Sequence, residues 1–239
     1  MTDHAHIPEP APDRLGDDDL LVIASEELRG PLTSVAGFLQ LMLDGEAGEL
    51  SDGQARVAEI AARNADRMAR MVDDLIVIAQ VRAGGLDEAR VPVDVEALVR
   101  ERVYSAGAEL RARRASVGLS VDPCPPVVGD APSLAHMIDH MLRGALTFVP
   151  VGGHITVEVH RTEGGVSVDV TDDGGELDKA DIPFAMGGLG AGAARSPRGL
   201  VGSRMGLQLV REVARAHGGD AIVVARDGRT TVRATFGAE

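Results

Sequence analysis

Two histidines at helical spacing are the side chains of this sequence that could most directly bind a metal. His136 and His140 lie four residues apart, about one helical turn, and could present two ring nitrogens to one ion beside Asp139. No third ligand is evident from the sequence, and packing of one helix face explains the pair more simply. His4 and His6 have no ligands from a folded frame nearby, and we expect both to be exposed to solvent. The sequence therefore predicts no metal site.

The composition is that of a soluble globular protein with room for one large domain or two modest ones. Of the 239 residues, 44% are apolar and 26% are charged. A net charge of -13 argues against duplex nucleic acid or an anionic membrane as the main partner, because both require a basic surface. Cys124 is the only cysteine, which excludes an internal disulfide, and no apolar run is long enough to span a bilayer. We expect a cytoplasmic protein.

The first third of the chain predicts a helical hairpin. Residues 1–16 contain prolines and no periodicity, so we expect a disordered tail. Residues 17–85 contain two stretches whose apolar residues recur every three or four positions, the pattern of amphipathic helices. Pro31 predicts a kink in the first helix, and Ser51 with Gln54 predicts a capping box at the start of the second.

The apolar stripes of this hairpin predict pairing of two chains. One hairpin cannot bury two stripes that run the full length of its helices, so we expect a homodimer with a four-helix bundle. The alternative is an antiparallel hairpin that packs on its own C-terminal domain, which the length of the stripes disfavours.

Residues 86–239 predict an α/β sandwich with helices on one face of a mixed sheet, so the whole chain is of the α+β class. Alternating apolar residues predict strands at 91–95, 115–121, 154–160 and 166–171, with two more after 219. Helical patterns occupy 97–113, 133–148 (capped by Asp130) and 204–216. The irregular, glycine-rich stretch of about thirty residues before the last helix is too long for an ordinary loop, and we interpret it as a lid.

Three separate stretches carry a resemblance to a known family. Residues 25–32, Ser-Glu-Glu-Leu-Arg-Gly-Pro-Leu, resemble the phosphoacceptor helix of sensor histidine kinases, which reads Ser-His-Glu-Leu-Arg-Thr-Pro-Leu. Residues 67–75 resemble the second helix of that family, and residues 210–219 resemble the end of its last nucleotide motif. Because the motifs follow the order of the family, the resemblance extends from residue 17 to the C-terminus. It implies a dimerisation and phosphotransfer hairpin followed by an ATPase domain of the gyrase, chaperone, kinase and mismatch-repair superfamily.

The resemblance implies that two functional positions of the first helix are altered. Glu26 stands at the phosphoacceptor histidine, whose ring nitrogen attacks the γ-phosphate of ATP, and a carboxylate would form only a labile acyl phosphate. We interpret Glu26 as an ordinary exposed glutamate; the alternative is a standing negative charge that imitates a phosphorylated state. Gly30 stands at the polar residue that orients water in the phosphatase reaction of the family, with Thr33 one turn away as a substitute.

The nucleotide motifs are retained in part. Residues 140–150 resemble Asn-Leu-Leu-x-Asn-Ala-x-Lys-Tyr-Thr-Pro. In this alignment Gly144 replaces the asparagine that binds Mg²⁺, and Thr147 replaces the lysine near the phosphates. Phe148 keeps the aromatic residue at the adenine end.

Residues 168–176 resemble the Asp-x-Gly-x-Gly motif of the same family. The resemblance implies that Asp172 accepts a hydrogen bond from the adenine amino group and that Gly174 lets the backbone approach the base. Glu176 replaces the second glycine, which would place a negative charge near the polyphosphate and weaken binding. Taken alone, the acidic and glycine residues are also compatible with a turn after a strand.

Residues 202–207 resemble Gly-Thr-Gly-Leu-Gly-Leu, which cradles phosphates at a helix N-terminus. The matching residues of this motif are Gly202, Gly206 and Leu207. Arg204 replaces the middle glycine, where it either blocks the backbone approach or binds a phosphate through its guanidinium. Arg195 and Arg198 of the predicted lid either reinforce that site or keep the loop solvated.

The resemblance therefore retains the fold and the adenine pocket and loses most groups that handle Mg²⁺, phosphate and phosphoryl transfer. Our leading hypothesis is a histidine pseudokinase without catalytic residues, a homodimer that acts in a two-component pathway by binding a response regulator or a sensor kinase. The alternative is an ATP-binding kinase or ATPase with a rearranged site that uses Arg204 and His140. The sequence argues against bound Mg²⁺ and leaves the binding of ATP open.

Overall fold

The computed structural model describes residues 17–84, 90–178 and 203–237, without the side chains of 17–20 and 203–205. The predicted tail and most of the predicted lid lie outside these ranges. In chain order the elements are α1 (Asp17–Leu43), α2 (Asp52–Arg82), β1 (Val91–Val93), α3 (Val95–Ser105), α4 (Gly107–Arg113), β2 (Ser116–Val121), β3 (Val127–Gly129), α5 (Ala131–Phe148), β4 (His154–Thr162), β5 (Gly165–Asp172), α6 (Ser203–Ala216), β6 (Ala221–Arg226) and β7 (Arg229–Gly237).

Helices α1 and α2 form the predicted antiparallel hairpin and pack on each other along their length. Helix α1 continues through Pro31. The capping box at the start of α2 is confirmed: the Ser51 hydroxyl accepts a hydrogen bond from the Gln54 backbone amide, and the Gln54 side chain accepts one from the Ser51 amide. Because the box satisfies amides that have no partner within the helix, it fixes where α2 begins.

The two ends of α2 have different surroundings. Its C-terminal half packs against the rest of the chain, where it contacts α6 and where Arg82 forms an ion pair of 2.9 Å with Glu212. The hairpin nevertheless leaves a stripe of large apolar side chains exposed. These are Leu21, Ile23, Leu28, Val35, Phe38, Leu41, Met42, Val57, Ile60 and Met68. The disfavoured alternative, packing on the chain's own domain, therefore describes the end of α2. The remaining apolar residues are not covered by the part of the chain that the structure describes.

A five-stranded sheet with the order β2-β4-β5-β7-β6 supports the C-terminal domain. Strands β2 and β4 are parallel, and the other neighbours are antiparallel. Alternate residues of β4 and β5 enter a core shared with α5 and α6, as the two-residue period of a strand requires. The core members from these strands are Ile155, Val157, Val159, Val166, Val168 and Val170. The predicted α+β architecture is confirmed.

Three local features differ from the prediction. The helix predicted at 97–113 is two helices, because Gly107, a poor helix former, starts a new helix after Ala106. Strand β3 was missed because it contains only three residues and pairs with an equally short β1 in a separate two-stranded sheet. The first predicted strand also ends early, since the Asp94 carboxylate caps α3 by accepting from the Ala97 amide at 3.0 Å.

His217, part of the motif at 210–219, joins the ends of α5 and α6. Its Nδ1 donates to the Val213 carbonyl oxygen at 2.7 Å, and its Nε2 accepts from the Asp130 amide at 3.1 Å. Asp130 in turn caps α5, as predicted, by accepting from the Ser133 amide at 2.8 Å. Burial lowers the pKa of His217, so the neutral ring is favoured in this position. The histidine of this motif therefore has a structural role.

Candidate functional site

A cavity of about 320 Å³ lies between the hairpin and the C-terminal domain, a size typical of small-ligand sites. Its walls come from the C-terminal half of α2, from α5, from the start of α6 and from strands β5, β6 and β7. Five candidate residues of the sequence prediction meet there. They are His140, Phe148, Asp172, Gly206 and Leu207. Because α2 forms one wall, the cavity belongs to both domains.

Asp172 lies at the end of β5 and is buried within the cavity wall. Its Oδ1 accepts a hydrogen bond from the Gly174 amide at 3.0 Å. Burial raises the pKa of Asp172 to about 6, although that hydrogen bond opposes the change. A carboxylate held in this way, with Phe148 on the same wall, can accept a hydrogen bond from an amino group of a flat heterocycle.

Close neighbours leave no space for a side chain at Gly174 or at Gly206. A Cβ on Gly174 would lie 2.2 Å from the carbonyl oxygen of Phe148, and one on Gly206 would lie 2.6 Å from Nδ1 of His140. Neither distance is compatible with a side chain unless the neighbour moves. These two glycines therefore allow α5, the turn after β5 and α6 to approach one another around the cavity.

Two positions of the cavity wall lack the polar groups that the resemblance implies. Gly144 lines the cavity without a side chain, and a Cβ there would meet nothing within 4 Å. The Thr147 hydroxyl donates to the Arg143 carbonyl oxygen at 2.8 Å, so it bonds back to its own helix. The absence of a side chain at Gly144 is thus not imposed by packing.

Glu176 has a hydrogen-bond partner in the C-terminal domain, and its expected effect near a phosphate remains a prediction. Its carboxylate accepts from the Gly228 amide at 2.9 Å, in the turn between β6 and β7. The neighbouring Gly175 carbonyl and Leu177 amide both bond the Thr230 hydroxyl, which holds this segment along the edge of β7. The sequence could not reveal this because Gly228 is 52 residues away.

Two predicted site residues are not described fully. Gly202 lies outside the described residues, as do Arg195 and Arg198 of the predicted lid. Arg204 belongs to the first turn of α6, and its side chain is outside the description. Their proposed roles at a phosphate remain predictions.

Sequence reasoning missed a group of cations at the cavity. Arg67 and Arg70 of α2 line it, together with Arg143 of α5. Both α2 residues belong to the stretch that resembles the family's second helix, but we assigned that stretch only to dimerisation. Their contribution to the cavity depends on how the hairpin packs on the domain, which no local pattern encodes.

The histidine pair of α5 gains a partner from α2. Oδ1 of the buried Asp74 lies 3.0 Å from Nε2 of His136 and 2.6 Å from Nε2 of His140. Burial alone would raise the pKa of Asp74, but its hydrogen bonds with the two imidazoles outweigh burial and lower it. Asp139, the neighbour we considered as a ligand, instead pairs with Arg102 at 3.4 Å. The third potential ligand was invisible because it is more than 60 residues away.

Comparison with protein-family models covers both parts of the chain. Residues 18–84 match the His Kinase A (phospho-acceptor) domain, and residues 129–239 match the histidine kinase-, DNA gyrase B- and HSP90-like ATPase. The chain belongs to the sensor histidine kinase family. Within the described residues, no helix is long and apolar enough to cross a membrane.

Curated relatives support this membership. The histidine protein kinase DivJ of Caulobacter vibrioides is 30% identical over 87% of this chain, and the sensor protein DivL of the same organism is 32% identical over 84%. The phosphate regulon sensor protein PhoR of Pseudomonas aeruginosa is 27% identical over 69% of the chain. The chain spans 35%, 25% and 37% of the length of these three relatives, respectively.

Solved structures show the same fold. Full-length ShkA, crystallised in complex with AMPPNP, superposes with a TM-score of 0.67 and 21% identity over 93% of this chain and 46% of its own. The Acinetobacter baumannii histidine kinase AdeS gives a TM-score of 0.58 with 16% identity over 88% of this chain and 97% of its own. A histidine kinase hairpin followed by its ATPase-type domain is therefore the architecture of this chain.

The kinase family's acceptor position is exposed on α1. Glu26 and Gly30 both face solvent, and a Cβ on Gly30 would meet nothing within 4 Å. The Thr33 hydroxyl, our candidate substitute for the missing polar group, donates to the Arg29 carbonyl oxygen at 2.9 Å. Arg29 pairs with Asp73 at 2.6 Å, so this turn of α1 is anchored to α2.

Proposed function

We propose that this protein is a histidine pseudokinase that has lost autokinase activity and acts in two-component signalling by binding. In this proposal it is a homodimer whose hairpin docks a response regulator or a sensor kinase. The observation that carries it is the coincidence of two losses, Glu26 at the acceptor position and Gly144 at the metal-ligand position of the cavity.

The acceptor loss removes the nucleophile. An imidazole is neutral and nucleophilic near neutral pH and forms a phosphoramidate, whereas a carboxylate forms a mixed anhydride that hydrolyses readily. Glu26 is exposed on α1, as an ordinary surface carboxylate is. The adjacent Glu27 cannot assist as a general base, because a carboxylate that attacks as a nucleophile carries no proton for Glu27 to remove.

The loss of the metal ligand at Gly144 affects ATP, the other reactant. Phosphoryl transfer depends on positioning and on neutralising the developing charge, and Mg²⁺ needs oxygen ligands to hold its place between the phosphates. Gly144 offers no oxygen, and the hydroxyl of the nearby Thr147 is bound to its own helix. Loss of the nucleophile and of the metal ligand together favours a role in binding over a role in catalysis.

Autokinase activity is tested by incubating the purified chain with γ-labelled ATP and Mg²⁺, beside an authentic histidine kinase as positive control. Samples are quenched under both acidic and alkaline conditions, so that an acyl phosphate and a phosphohistidine would each survive in one of them. We expect no label on the protein. Stable incorporation of label in either sample would overturn the proposal.

The exposed stripe of the hairpin supports the homodimer. Phe38 is 67% exposed on α1 and lies among the other uncovered apolar residues of the stripe. We expect Phe38→Glu to convert a dimer into a monomer in light scattering, because it places a charge in the proposed interface. Tyr104→Glu on α3 is the matched control, since Tyr104 is 87% exposed but lies away from the hairpin. A wild-type monomer at micromolar concentration would contradict the dimer.

Binding of a partner is tested with purified response regulators and sensor kinases from the same genome. We expect at least one to bind with micromolar or tighter affinity, and we expect ATP to leave that affinity unchanged. The hairpin variant Phe38→Glu should weaken binding if the dimeric bundle is the docking surface. Failure of every regulator and kinase to bind would contradict a role in this pathway.

A second candidate function is an ATP-binding kinase or ATPase with a rearranged site. The observation that favours it is the set of cations at the cavity, Arg67, Arg70 and Arg143, which could neutralise phosphates in place of Mg²⁺. Submillimolar ATP affinity by calorimetry, lost in Asp172→Ala, would support this candidate. No binding heat at millimolar ATP would exclude it.

A further inference from the structure

We propose that Asp74, His136 and His140 form a binding site for a divalent transition metal, with Zn²⁺ as the first candidate, that joins the hairpin to the ATPase-type domain. One ligand comes from α2 and two come from α5, so an ion at this place would link the two parts of the chain directly. This proposal does not depend on whether the protein binds nucleotide.

The geometry brings three suitable donor atoms together. Asp74 Oδ1 and the Nε2 atoms of His136 and His140 all lie within 4.8 Å of one another. The four-residue spacing puts both imidazoles on one face of α5, with ring centroids 5.2 Å apart. In tetrahedral zinc sites with bonds of about 2.0–2.1 Å, donor atoms are about 3.3 Å apart. The carboxylate oxygen, at 3.0 Å and 2.6 Å from the two nitrogens, needs to move by less than about 1 Å.

The surroundings favour a metal over a purely structural contact. The Asp74 side chain is 4% exposed, and those of His136 and His140 are 27% and 12% exposed, so the donors are shielded while a route from solvent remains. A buried carboxylate needs a positive partner, which a divalent ion would supply. Arg67 and Arg70 line the same cavity but are exposed, so solvent screens their repulsion of an ion.

The donor set also selects the class of metal. Two imidazole nitrogens and one carboxylate oxygen suit Zn²⁺ and neighbouring transition metals, whereas Mg²⁺ prefers oxygen ligands. Three protein ligands leave a fourth position for water, and Asp74 and His140 both line the cavity, so that position would open onto it. Binding requires each neutral ring to carry its proton on Nδ1, which leaves Nε2 free for the ion.

The test measures Zn²⁺ binding by competition with a chromophoric chelator, using the untagged full chain. Every sample carries His4→Asn and His6→Asn, so that the N-terminal histidine pair cannot contribute. We expect one ion per chain, and we expect His136→Asn and His140→Asn each to weaken binding by about tenfold or more. His154→Asn is the matched control, because His154 is exposed on β4 and lies outside the cluster. It should leave the affinity unchanged.

Two further measurements address coordination and the link between the domains. Co²⁺ should give the strong visible absorption of a four- or five-coordinate site in the background protein and not in His136→Asn. Zn²⁺ should raise the melting temperature of the background protein but not that of either cluster variant. Unchanged affinity in both cluster variants, or no binding at micromolar Zn²⁺, would overturn the proposal and leave a hydrogen-bonded triad only. Binding without a rise in melting temperature would overturn the link between α2 and α5.

Discussion

The glycines around the cavity and on the hairpin differ in how tightly their neighbours constrain them. Gly174 is pressed against the Phe148 carbonyl oxygen, and Gly206 is pressed against the His140 ring. In contrast, a Cβ on Gly144 would meet nothing within 4 Å, and the same holds at Gly30 on the hairpin. The glycines that match the family are required by packing, whereas those that replace functional residues are not.

This difference separates architecture from chemistry. Where a glycine is held by its neighbours, its identity follows from how α5, α6 and the turn after β5 meet. Where the space around it is open, packing does not explain the absence of a functional side chain, and the family's residue could be restored without rebuilding the core. The comparison can therefore be tested by substituting one glycine that its neighbours constrain and one that lies in open space.

The largest effect is expected at Gly174. Gly174→Ala places a methyl group 2.2 Å from the Phe148 carbonyl oxygen, so the free energy of unfolding should fall by about 2–3 kcal/mol in urea denaturation. Gly144→Ala is the matched control in open space within α5, where replacing glycine should stabilise the helix by up to about 1 kcal/mol. Equal effects of the two substitutions would refute the distinction between constrained and unconstrained glycines.

The next effect comes from the buried charge of Asp172. Because burial raises its folded-state pKa to about 6, the folded protein binds the proton more tightly than the unfolded chain. Stability from this group is thus fully present below about pH 4 and is lost as the pH rises through 6. Asp172→Asn should raise the free energy of unfolding by about 2 kcal/mol at pH 7.5 and by almost nothing at pH 4. A gain that is independent of pH would show that the charge is not the cause.

In the open space around Gly144, the substitution Gly144→Asn should restore a metal ligand. The added amide oxygen lies on the cavity wall, so ATP affinity should become about tenfold higher in Mg²⁺ than in chelator. We expect the wild type and Gly144→Ala to bind ATP equally in both conditions, as measured by calorimetry. A strong Mg²⁺ effect in the wild type would mean that another residue holds the ion.

The smallest effect is expected on the hairpin surface. The Arg29 and Asp73 side chains are 51% and 38% exposed, so their ion pair is screened by solvent. Arg29→Ala should lower the free energy of unfolding by no more than about 0.5 kcal/mol, with little remaining difference in high salt. A loss above about 2 kcal/mol would indicate that the acceptor turn is a packed site rather than an exposed surface.

The fold was largely predictable because its signals are local. The helical periodicity of the hairpin, the Ser51–Gln54 box and the Asp130 cap each depend on residues within a few positions of one another. The positions of Phe148, Asp172 and Leu207 at one cavity were also predictable, because the resemblance supplied the arrangement of motifs that are distant in sequence. The elements that were predicted wrongly are either very short, such as β3, or depend on one glycine, such as the break before α4.

The rest of the site could not be predicted because it depends on long-range packing. Asp74 meets two histidines more than 60 residues away only when α2 lies against α5, and Glu176 turns to Gly228 only when the sheet is complete. Such contacts leave no period or spacing in the sequence. A pair such as His136 and His140 signals a possible cluster, and its remaining member comes from tertiary structure.

Adjacent aspartates on α2 point in different directions, one toward α1 and the next toward α5. Neighbouring residues of a helix are separated by about 100° around its axis. A twist of α2 by that angle would bring Asp73 to the place of Asp74 and break both contacts together. A partner that rotated α2 within the hairpin would therefore also change the wall of the cavity, to which Asp74 contributes.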